Sequence, residues 1–164
     1  MAGRGETRLA VLFVCLGNIC RSPMAEGAFR KAADEAGLEC DVESVGTASY
    51  HVGEAPDPRA IATAAAHGID ISRAIGRQLD PDDFERFTHI IAMDTANFAG
   101  IIARAPREAR GMVTMLMDAV PGREGEAVAD PYYGDESDFE AAWDDIAMAT
   151  GLLARKLMAQ KSTA

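Results

Sequence analysis

The segment that most constrains the fold is an apolar run joined by a short polar loop to a helical pattern. Residues 9–14, LAVLFV, are continuously apolar and include β-branched and aromatic residues, which predicts a central parallel strand covered on both faces. Ser22 is the predicted cap of the next helix, Pro23 suits its first turn, and Gly37 is its predicted stop. A strand, a loop and a helix in this order predict the first half of a β-α-β unit.

The remaining sequence repeats this alternation of strand and helix. The further predicted strands are residues 40–45, 89–93 and 112–117. One further helix is predicted to begin at Pro58, with Asp57 as its cap. A second follows the cap Asp94, with Phe98, Ile101 and Ile102 facing inward. A third begins near Ser137, which has capping-box spacing to Glu140. The last helix carries an apolar stripe made of Phe139, Trp143, Ile146, Thr150, Leu153 and Leu157. Four such units predict an α/β fold in which helices cover both faces of a parallel sheet.

The length of the chain and its lack of a linker predict one domain. A chain of 164 residues suits a single core, and we assign residues 1–164 to one domain with disordered ends at residues 1–7 and 160–164. Residues 118–138 are rich in glycine, proline and acidic residues. They are predicted to form a long loop that is either functional or flexible.

Charge and cysteine count exclude several classes of protein. Sixteen basic and 26 acidic residues give a net charge of -10, which argues against general binding to nucleic acid or to a membrane surface. No apolar leader and no apolar run of about 18 residues occurs, so neither secretion nor membrane insertion is indicated. Three cysteines are too few for a disulfide scaffold, so we expect reduced thiols and a cytoplasmic protein. No second cysteine pair or histidine pair supports a metal site.

The loop after the first strand carries the residues of a nucleophilic site. A loop at a helix N-terminus directs backbone N–H groups and the positive end of the helix dipole at one point, where a tetrahedral oxyanion binds. The same field stabilises a thiolate, so Cys15 is the predicted nucleophile. Arg21 offers a planar fork for two phosphate oxygens, Gly17 and Asn18 tolerate left-handed backbone, and the Ser22 hydroxyl can donate to the sulfur. These groups predict displacement at phosphorus through a cysteinyl-phosphate. The same spacing also fits a purely structural interpretation, in which Cys15 is a small buried apolar residue and Arg21 is a surface charge.

Asp130 is the candidate acid for such a reaction. It lies in ADPYYG, where Pro131 stiffens the backbone and where Tyr132 and Tyr133 can form the walls of an aromatic slot. An Asp-Pro pair read alone is more often a turn, so the residues leave both roles open. Structural roles explain the three histidines better than catalysis does; they are His51, His67 and His89.

Two motifs together carry a resemblance to a known family. VCLGNICRSPMAE near the N-terminus and DPYYG near the C-terminus closely resemble the low-molecular-weight protein tyrosine phosphatases, and GTASYHVGEAPDPRA, HGIDIS, RQL and IIAMD fit as well. The resemblance implies a flavodoxin-like three-layer sandwich with a four-stranded parallel sheet. It also implies hydrolysis of phosphotyrosine and other aryl phosphate monoesters with no metal or other cofactor. The implied partners are phosphotyrosine-containing proteins, with inorganic phosphate as product and inhibitor.

The resemblance further implies a role for individual residues. Cys15 matches the nucleophile of the family, Arg21 its phosphate clamp and Asp130 its general acid. Cys20 matches a second loop cysteine, the redox partner that forms a reversible disulfide with the nucleophile and protects it. The implied phosphate-binding loop consists of Leu16, Gly17, Asn18, Ile19, Cys20, Arg21 and Ser22. The implied substrate slot consists of Ile19, Tyr50, Tyr132 and Tyr133.

Three positions depart from the usual family pattern. Val45 stands where alanine is frequent, Tyr50 where tryptophan often lines the slot, and Ala74 where many members carry a histidine before the Arg-Gln pair. We expect these changes to tune the slot and the support behind the phosphate-binding loop without abolishing activity.

Three alternative functions use a related loop. Arsenate reductases of this fold need further cysteines late in the chain, and none follows Cys40. Protein arginine phosphatases have threonine at the position of Ile19, where its hydroxyl helps to select phosphoarginine, whereas isoleucine favours the aryl ester. A redox-switched phosphate-binding module without turnover would use Cys15 and Cys20 as its switch. The presence of Arg21 and Asp130 favours catalysis, because a pure disulfide switch needs neither.

Overall fold

A computed structural model describes residues 8–163 of the chain. Within that range, four parallel strands form one sheet in the order β2-β1-β3-β4. The strands are β1 (Ala10–Cys15), β2 (Asp41–Gly46), β3 (His89–Ala92) and β4 (Val113–Met115). The predicted four-stranded parallel sheet is therefore confirmed. Residues 1–7, for which the sequence predicts disorder, and residue 164 lie outside the described residues.

Helices cover both faces of the sheet. They are α1 (Arg21–Ala36), α2 (Pro58–Ala66), the single turn α3 (Asp83–Arg86), α4 (Thr95–Arg104) and α5 (Glu136–Thr163), with 3-10 turns at Arg107–Met112 and Leu116–Ala119. Successive side chains of β1 point to opposite faces, as strand geometry requires. Val11 and Phe13 are buried with residues of α1 and α5, whereas Leu12 and Val14 are buried with Ile101 of α4. Two separate cores therefore hold the three predicted layers together.

Several predicted features of the helices are confirmed. Asp57 accepts a hydrogen bond from the N–H of Arg59 at 2.8 Å and caps α2, and Asp94 accepts one from the N–H of Asn97 at 2.7 Å and caps α4. The apolar stripe of α5 is buried along its whole length and consists of Phe139, Trp143, Ile146, Thr150, Leu153 and Leu157. This stripe packs α5 against α1.

The predicted cap of α1 was wrong. The helix begins at Arg21, so Ser22 lies inside its first turn, and no side-chain hydrogen bond caps the helix at Cys20. The Ser22 side chain is fully buried and its hydroxyl is directed away from a capping position. The first N–H groups of α1 therefore remain available to another acceptor.

The predicted cap of α5 was also wrong. Asp135 caps this helix, because its carboxylate accepts hydrogen bonds from the N–H of Ser137 at 3.0 Å and of Asp138 at 3.3 Å. The N–H of Asp135 donates in return to Asp138 Oδ2 at 2.9 Å, which completes a capping box that does not involve Glu140. Residues 160–163, which we expected to be disordered, continue the helix.

The fourth strand is shorter than predicted. Residues 112–117 are apolar except for Thr114, but only Val113–Met115 pair with β3. The N–H of Met115 donates to Asp118 Oδ2 at 3.0 Å, and this local hydrogen bond turns the chain out of the sheet. Residues 120–135 then form turns and irregular backbone, so the loop predicted for residues 118–138 is confirmed except at its ends, which lie in the 3-10 turn Leu116–Ala119 and in α5.

The strand order creates a crevice at the carboxyl ends of β1 and β3. The connection from β1 to β2 runs through α1 on one face, and the connection from β3 to β4 runs through α4 on the other. Ligands of open α/β sheets bind at such a switch point. Cys15 is the last residue of β1 and Asp94 closely follows β3. The fold therefore brings both residues to the place where a ligand is expected.

Candidate active site

Cys15 lies buried at the base of the loop formed by residues 16–20. Its Sγ is 3.0 Å from the Oγ of Ser22 and accepts a hydrogen bond from the backbone N–H of Asn18 at 3.3 Å. The Ser22 hydroxyl also lies 3.3 Å from the carbonyl oxygen of Val45, so it can donate to either acceptor. Donors directed at a sulfur atom stabilise its thiolate form.

Asn18 holds the loop in shape from behind. Its backbone is left-handed, with φ of 59°, which asparagine tolerates better than most residues. The side-chain amide donates to Ser22 Oγ at 2.8 Å and to Ser44 Oγ at 3.0 Å, and its oxygen accepts the backbone N–H of Arg77 at 3.0 Å. These three bonds use both ends of the amide group. The backbone N–H of Arg77 therefore supports the loop from behind.

The end of β2 supports the loop through close backbone contact. The N–H of Thr47 donates to the carbonyl of Cys15 at 2.9 Å. A Cβ atom on Gly46 would lie 2.7 Å from the carbonyl oxygen of Leu16, which is closer than real Cβ atoms approach. Glycine is therefore required at position 46 for steric reasons. Val45, the residue before it, is fully buried in the core on the α4 side.

Arg21 joins three separate segments of the chain and is only 3% exposed. Its Nη1 donates to Asp94 Oδ2 and to the carbonyl of Val128, both at 2.8 Å. Its Nη2 lies 3.5 Å from Asp130 Oδ2. Sequence reasoning assigned Asp94 only as a helix cap, and its second oxygen is the one that orients Arg21. The available signal was an acidic residue placed just after a strand at the switch point.

Asp130 occupies a turn and the site at the same time. Its Oδ1 accepts the backbone N–H of Tyr132 at 3.1 Å, which is a common arrangement of an aspartate in a turn. Its other oxygen faces Arg21, and the side chain is 44% exposed. The sequence left open whether Asp130 stabilises a turn or serves as the acid, and this geometry is compatible with both roles.

A cavity of about 210 Å³ lies between the loop and this turn. It is lined by Cys15, Leu16, Gly17, Ile19, Cys20, Arg21, Tyr50, His51, Asp130, Tyr132 and Tyr133. The predicted loop residues Asn18 and Ser22 do not line it, because they lie behind the loop and contact Cys15. The sequence predicted only a structural role for His51 and not its place at the cavity. Its ring lies against Gly17, and its Nδ1 is 2.9 Å from Glu54 Oε1.

The three tyrosines of the predicted slot differ in exposure. Tyr132 is 37% exposed, Tyr50 is 71% exposed and Tyr133 is 96% exposed. The rings of Tyr132 and Tyr133 meet edge to face, with centroids 4.9 Å apart. Tyr132 is therefore the best-supported wall of the slot, and Tyr133 lies at its rim.

Cys20 is a buried thiol in the same loop. Burial raises the pKa of this thiol well above its usual range, and the nearby carboxylate of Asp57 raises the pKa further. Cys20 is therefore held in its protonated form at neutral pH. Cys40 is partly exposed and lies outside the site.

Residues 8–163 contain no group of three or more histidine, cysteine and acidic side chains that could hold a metal ion. No helix in that part of the chain is both long and apolar enough to cross a membrane.

The arrangement suits attack on phosphorus by sulfur. The uncapped N-terminus of α1 offers backbone N–H groups and a positive dipole end beside Cys15. Arg21 supplies a fixed positive charge and Asp130 a carboxyl group at the same cavity. A thiol, a cationic fork and a carboxyl group at the switch point of a flavodoxin-like sheet define the class of cysteine-dependent phosphatases.

Comparison with known proteins identifies the family within this class. The chain belongs to the low molecular weight phosphotyrosine protein phosphatase family, whose family model matches residues 10–163. The low molecular weight phosphotyrosine protein phosphatase of Schizosaccharomyces pombe is 41% identical over 134 residues, which cover 80% of this chain and 85% of that protein. A protein tyrosine phosphatase from Entamoeba histolytica, solved with Hepes in the active site, aligns with a TM-score of 0.88 and 34% identity over 93% of this chain and 99% of its own. The YwlE arginine phosphatase, solved as a variant with a phosphorylated active-site serine, aligns with a TM-score of 0.83 and 28% identity over 91% of this chain and 95% of its own. YwlE comes from Bacillus subtilis.

Proposed function

We propose that the protein hydrolyses phosphotyrosine in proteins, and aryl phosphate monoesters in general, through a cysteinyl-phosphate intermediate. The observation that carries the proposal is the meeting of Cys15, Arg21 and Asp130 at one cavity. A buried thiol with donors on its sulfur, an immobilised guanidinium and a solvent-accessible carboxyl group are the three groups that this chemistry needs.

In the first step, Sγ of Cys15 attacks phosphorus while the bond from phosphorus to the phenolic oxygen breaks. Arg21 and the loop N–H groups stabilise the charge on the three non-bridging oxygens. Asp130, in its protonated form, gives its proton to the departing oxygen. The Ser22 hydroxyl donates to the thiolate before the attack, and the carbonyl of Val45 is its alternative acceptor once the sulfur carries phosphorus.

In the second step, water attacks the phosphorus of the cysteinyl-phosphate. The carboxylate of Asp130 accepts a proton from this water, and the bond from phosphorus to sulfur breaks. The products are inorganic phosphate and the thiolate of Cys15. Because phosphate occupies the same loop as the substrate, we expect it to act as a competitive inhibitor.

The proposal includes redox control of the nucleophile. Peroxide oxidises the thiolate of Cys15 to a sulfenic acid. Cys20 then gives up its proton and attacks that sulfur as a thiolate, the bond from sulfur to the hydroxyl oxygen breaks, and the hydroxide takes up the proton and leaves as water as the disulfide forms. The raised pKa of Cys20 supports the assignment of Cys15 as the nucleophile and Cys20 as its redox partner, because a protonated thiol does not compete with Cys15 for the substrate.

The same chemistry suggests where the protein works and what it binds. A reaction that needs a free thiolate suits the reducing cytoplasm. The net charge of -10 disfavours nucleic acid and anionic membrane surfaces as partners. Phosphotyrosine-containing proteins are the proposed substrates, with the aryl ring between Ile19 and the tyrosines that line the cavity, Tyr50, Tyr132 and Tyr133.

The proposal is tested by hydrolysis of a phosphotyrosine peptide in the presence of chelator and reducing agent. We expect the wild type to release phosphate, Cys15→Ser to be inactive, and Asp130→Ala to be slow chiefly with poor leaving groups, because an acid matters most when the leaving oxygen is basic. A wild type that leaves the peptide intact contradicts the substrate assignment. An active Cys15→Ser variant contradicts the covalent mechanism.

Phosphoarginine is the second candidate substrate, because the YwlE arginine phosphatase shares this fold and covers nearly the whole chain. Ile19 lines the cavity with an apolar side chain, which favours an aryl ring over a guanidinium group. We expect Ile19→Thr to lose preference for phosphotyrosine over phosphoarginine. Unchanged selectivity in that variant removes the basis of this argument.

A further inference from the structure

Arg59, near the start of α2, contacts the segment that carries Asp130. Its Nη2 donates to the carbonyl oxygen of Tyr132 at 3.0 Å, and its Nη1 donates to that of Gly134 at 3.2 Å. Its guanidinium carbon lies 4.7 Å from the ring centroid of Phe139 and 5.7 Å from that of Tyr132. Two hydrogen bonds and one ring contact therefore hold one side of this turn to α2, and the Phe139 ring adds a contact from the start of α5.

The same arginine is anchored to the phosphate-binding loop. Its Nε and Nη2 donate to the two carboxylate oxygens of Asp57 at 3.0 and 2.9 Å, and the Asp57 side chain is nearly buried. The backbone N–H of Asp57 donates in turn to the carbonyl of Ile19 at 2.9 Å. Hydrogen bonding to Arg59 holds the pKa of Asp57 below its usual range, so this carboxylate stays charged at neutral pH. Asp57 therefore links the loop that cradles the anion to the arginine.

The two sets of contacts converge on the backbone of Tyr132. Its N–H donates to Asp130 Oδ1, and its carbonyl accepts from Arg59. Asp130 itself is exposed enough to rotate, and its contact with Arg21 is long at 3.5 Å. The position of its carboxyl group therefore depends on how firmly the adjoining turn is held.

We propose that Arg59 is a positioning residue, which ties the turn of residues 130–134 to the phosphate-binding loop and so sets the distance from Asp130 to the leaving oxygen. This inference rests on the proposed function, because it assigns to Arg59 an effect on proton transfer by Asp130. A purely structural role for Arg59 changes activity equally for all leaving groups. A positioning role changes it most for those that need the proton.

The test measures kcat/KM for a series of aryl phosphates whose phenols range from acidic, such as p-nitrophenol, to basic, such as phenol. We expect Arg59→Met to lower kcat/KM for phenyl phosphate roughly tenfold more than for p-nitrophenyl phosphate, because a displaced acid loses part of its ~100-fold or larger contribution. In an Asp130→Ala background the same substitution should lose this dependence on the leaving group, since the two residues act through one step.

Two further variants complete the test. Asp57→Asn keeps a capping side chain for α2 but loses the ion pair, so it should reproduce the leaving-group dependence even where Arg59→Met folds poorly. Arg8→Met removes an exposed arginine–aspartate pair with Asp41 at the opposite end of the sheet and should leave the series unchanged.

The inference is overturned if kcat/KM falls equally for all leaving groups in Arg59→Met and Asp57→Asn, while in Asp130→Ala it falls most for the basic leaving groups. That result leaves the proposed function intact. A wild type that hydrolyses none of the series overturns the proposed function itself.

Discussion

Asn18 makes the sharpest quantitative prediction, because three buried hydrogen bonds and a left-handed backbone meet at one residue. Asn18→Ala removes the donations to Ser22 and Ser44 and leaves the N–H of Arg77 without its acceptor. It also places an alanine at a φ of 59°. The side chain of Asn18 is buried, so water cannot readily replace the lost partners.

The expected cost follows from these contacts. Each buried hydrogen bond contributes about 1 kcal/mol, and alanine in the left-handed region costs about 1 kcal/mol more than asparagine there. Asn18→Ala should therefore lower the free energy of unfolding by about 4 kcal/mol, a large part of the roughly 5–15 kcal/mol typical of a domain. Ser44→Ala removes one of the three Asn18 bonds and also the hydrogen bond from the Ser44 hydroxyl to Glu26 Oε1, so it should cost about 2 kcal/mol.

Urea unfolding at neutral pH, followed by tryptophan fluorescence, measures both values. Trp143 is the only tryptophan of the chain and is buried in α5 against the ring of His67, so its emission reports loss of the core. A cost for Asn18→Ala no larger than that for Ser44→Ala would refute the argument that this residue holds the loop. We also expect Asn18→Ala to lose activity under conditions where it remains folded, because the backbone N–H of residue 18, which donates to Cys15 Sγ, moves with the loop.

The remaining predictions concern β2 and the ion pair of α2. Gly46→Ala should lower activity roughly tenfold or more, because its Cβ would press on the backbone of Leu16 and displace the loop, whereas Gly111→Ala, with open space around it, should match the wild type in the same assay. Equal activities of the two variants contradict this. Arg59 depresses the pKa of Asp57, so their pairing stabilises the fold above about pH 4, the ordinary aspartate value, and that stability is lost as the pH falls through the lower folded-state pKa. In Asp57→Asn, the free energy of unfolding measured by urea titration should fall less steeply as the pH drops below about 4. An unchanged dependence of that free energy on pH would contradict the pairing.

The order and type of the elements could be predicted because their signals are local. The apolar run of residues 9–14 predicted β1 to within one residue at each end, since a strand buried on both faces has no polar positions. Asp57 and Asp94 predicted the starts of α2 and α4, because a cap bonds to an N–H only two or three residues away.

Local signals failed where a second partner competed for the same side chain. Ser22 has the chemistry of a cap, but its hydroxyl bonds to Cys15 and Asn18 instead, so α1 begins without a side-chain cap. Ser137 is the predicted cap of α5, yet the carboxylate of Asp135 accepts two backbone N–H groups and also the Ser137 hydroxyl. In both cases the tertiary neighbours or the stronger acceptor decided which oxygen faces the helix.

The sequence by itself determined the α/β fold and the chemistry of the loop, because Cys15, Arg21 and Ser22 lie within one strand-to-helix connection and their spacing can be read directly. Only the tertiary structure decided what surrounds that loop. Arg21 meets Asp94 and Val128 across 73 and 107 positions of the chain, and Arg59 meets Tyr132 across 73. Such contacts have no local signal, because they form only when the sheet and both helical layers have packed and brought the carboxyl ends of β1 and β3 together.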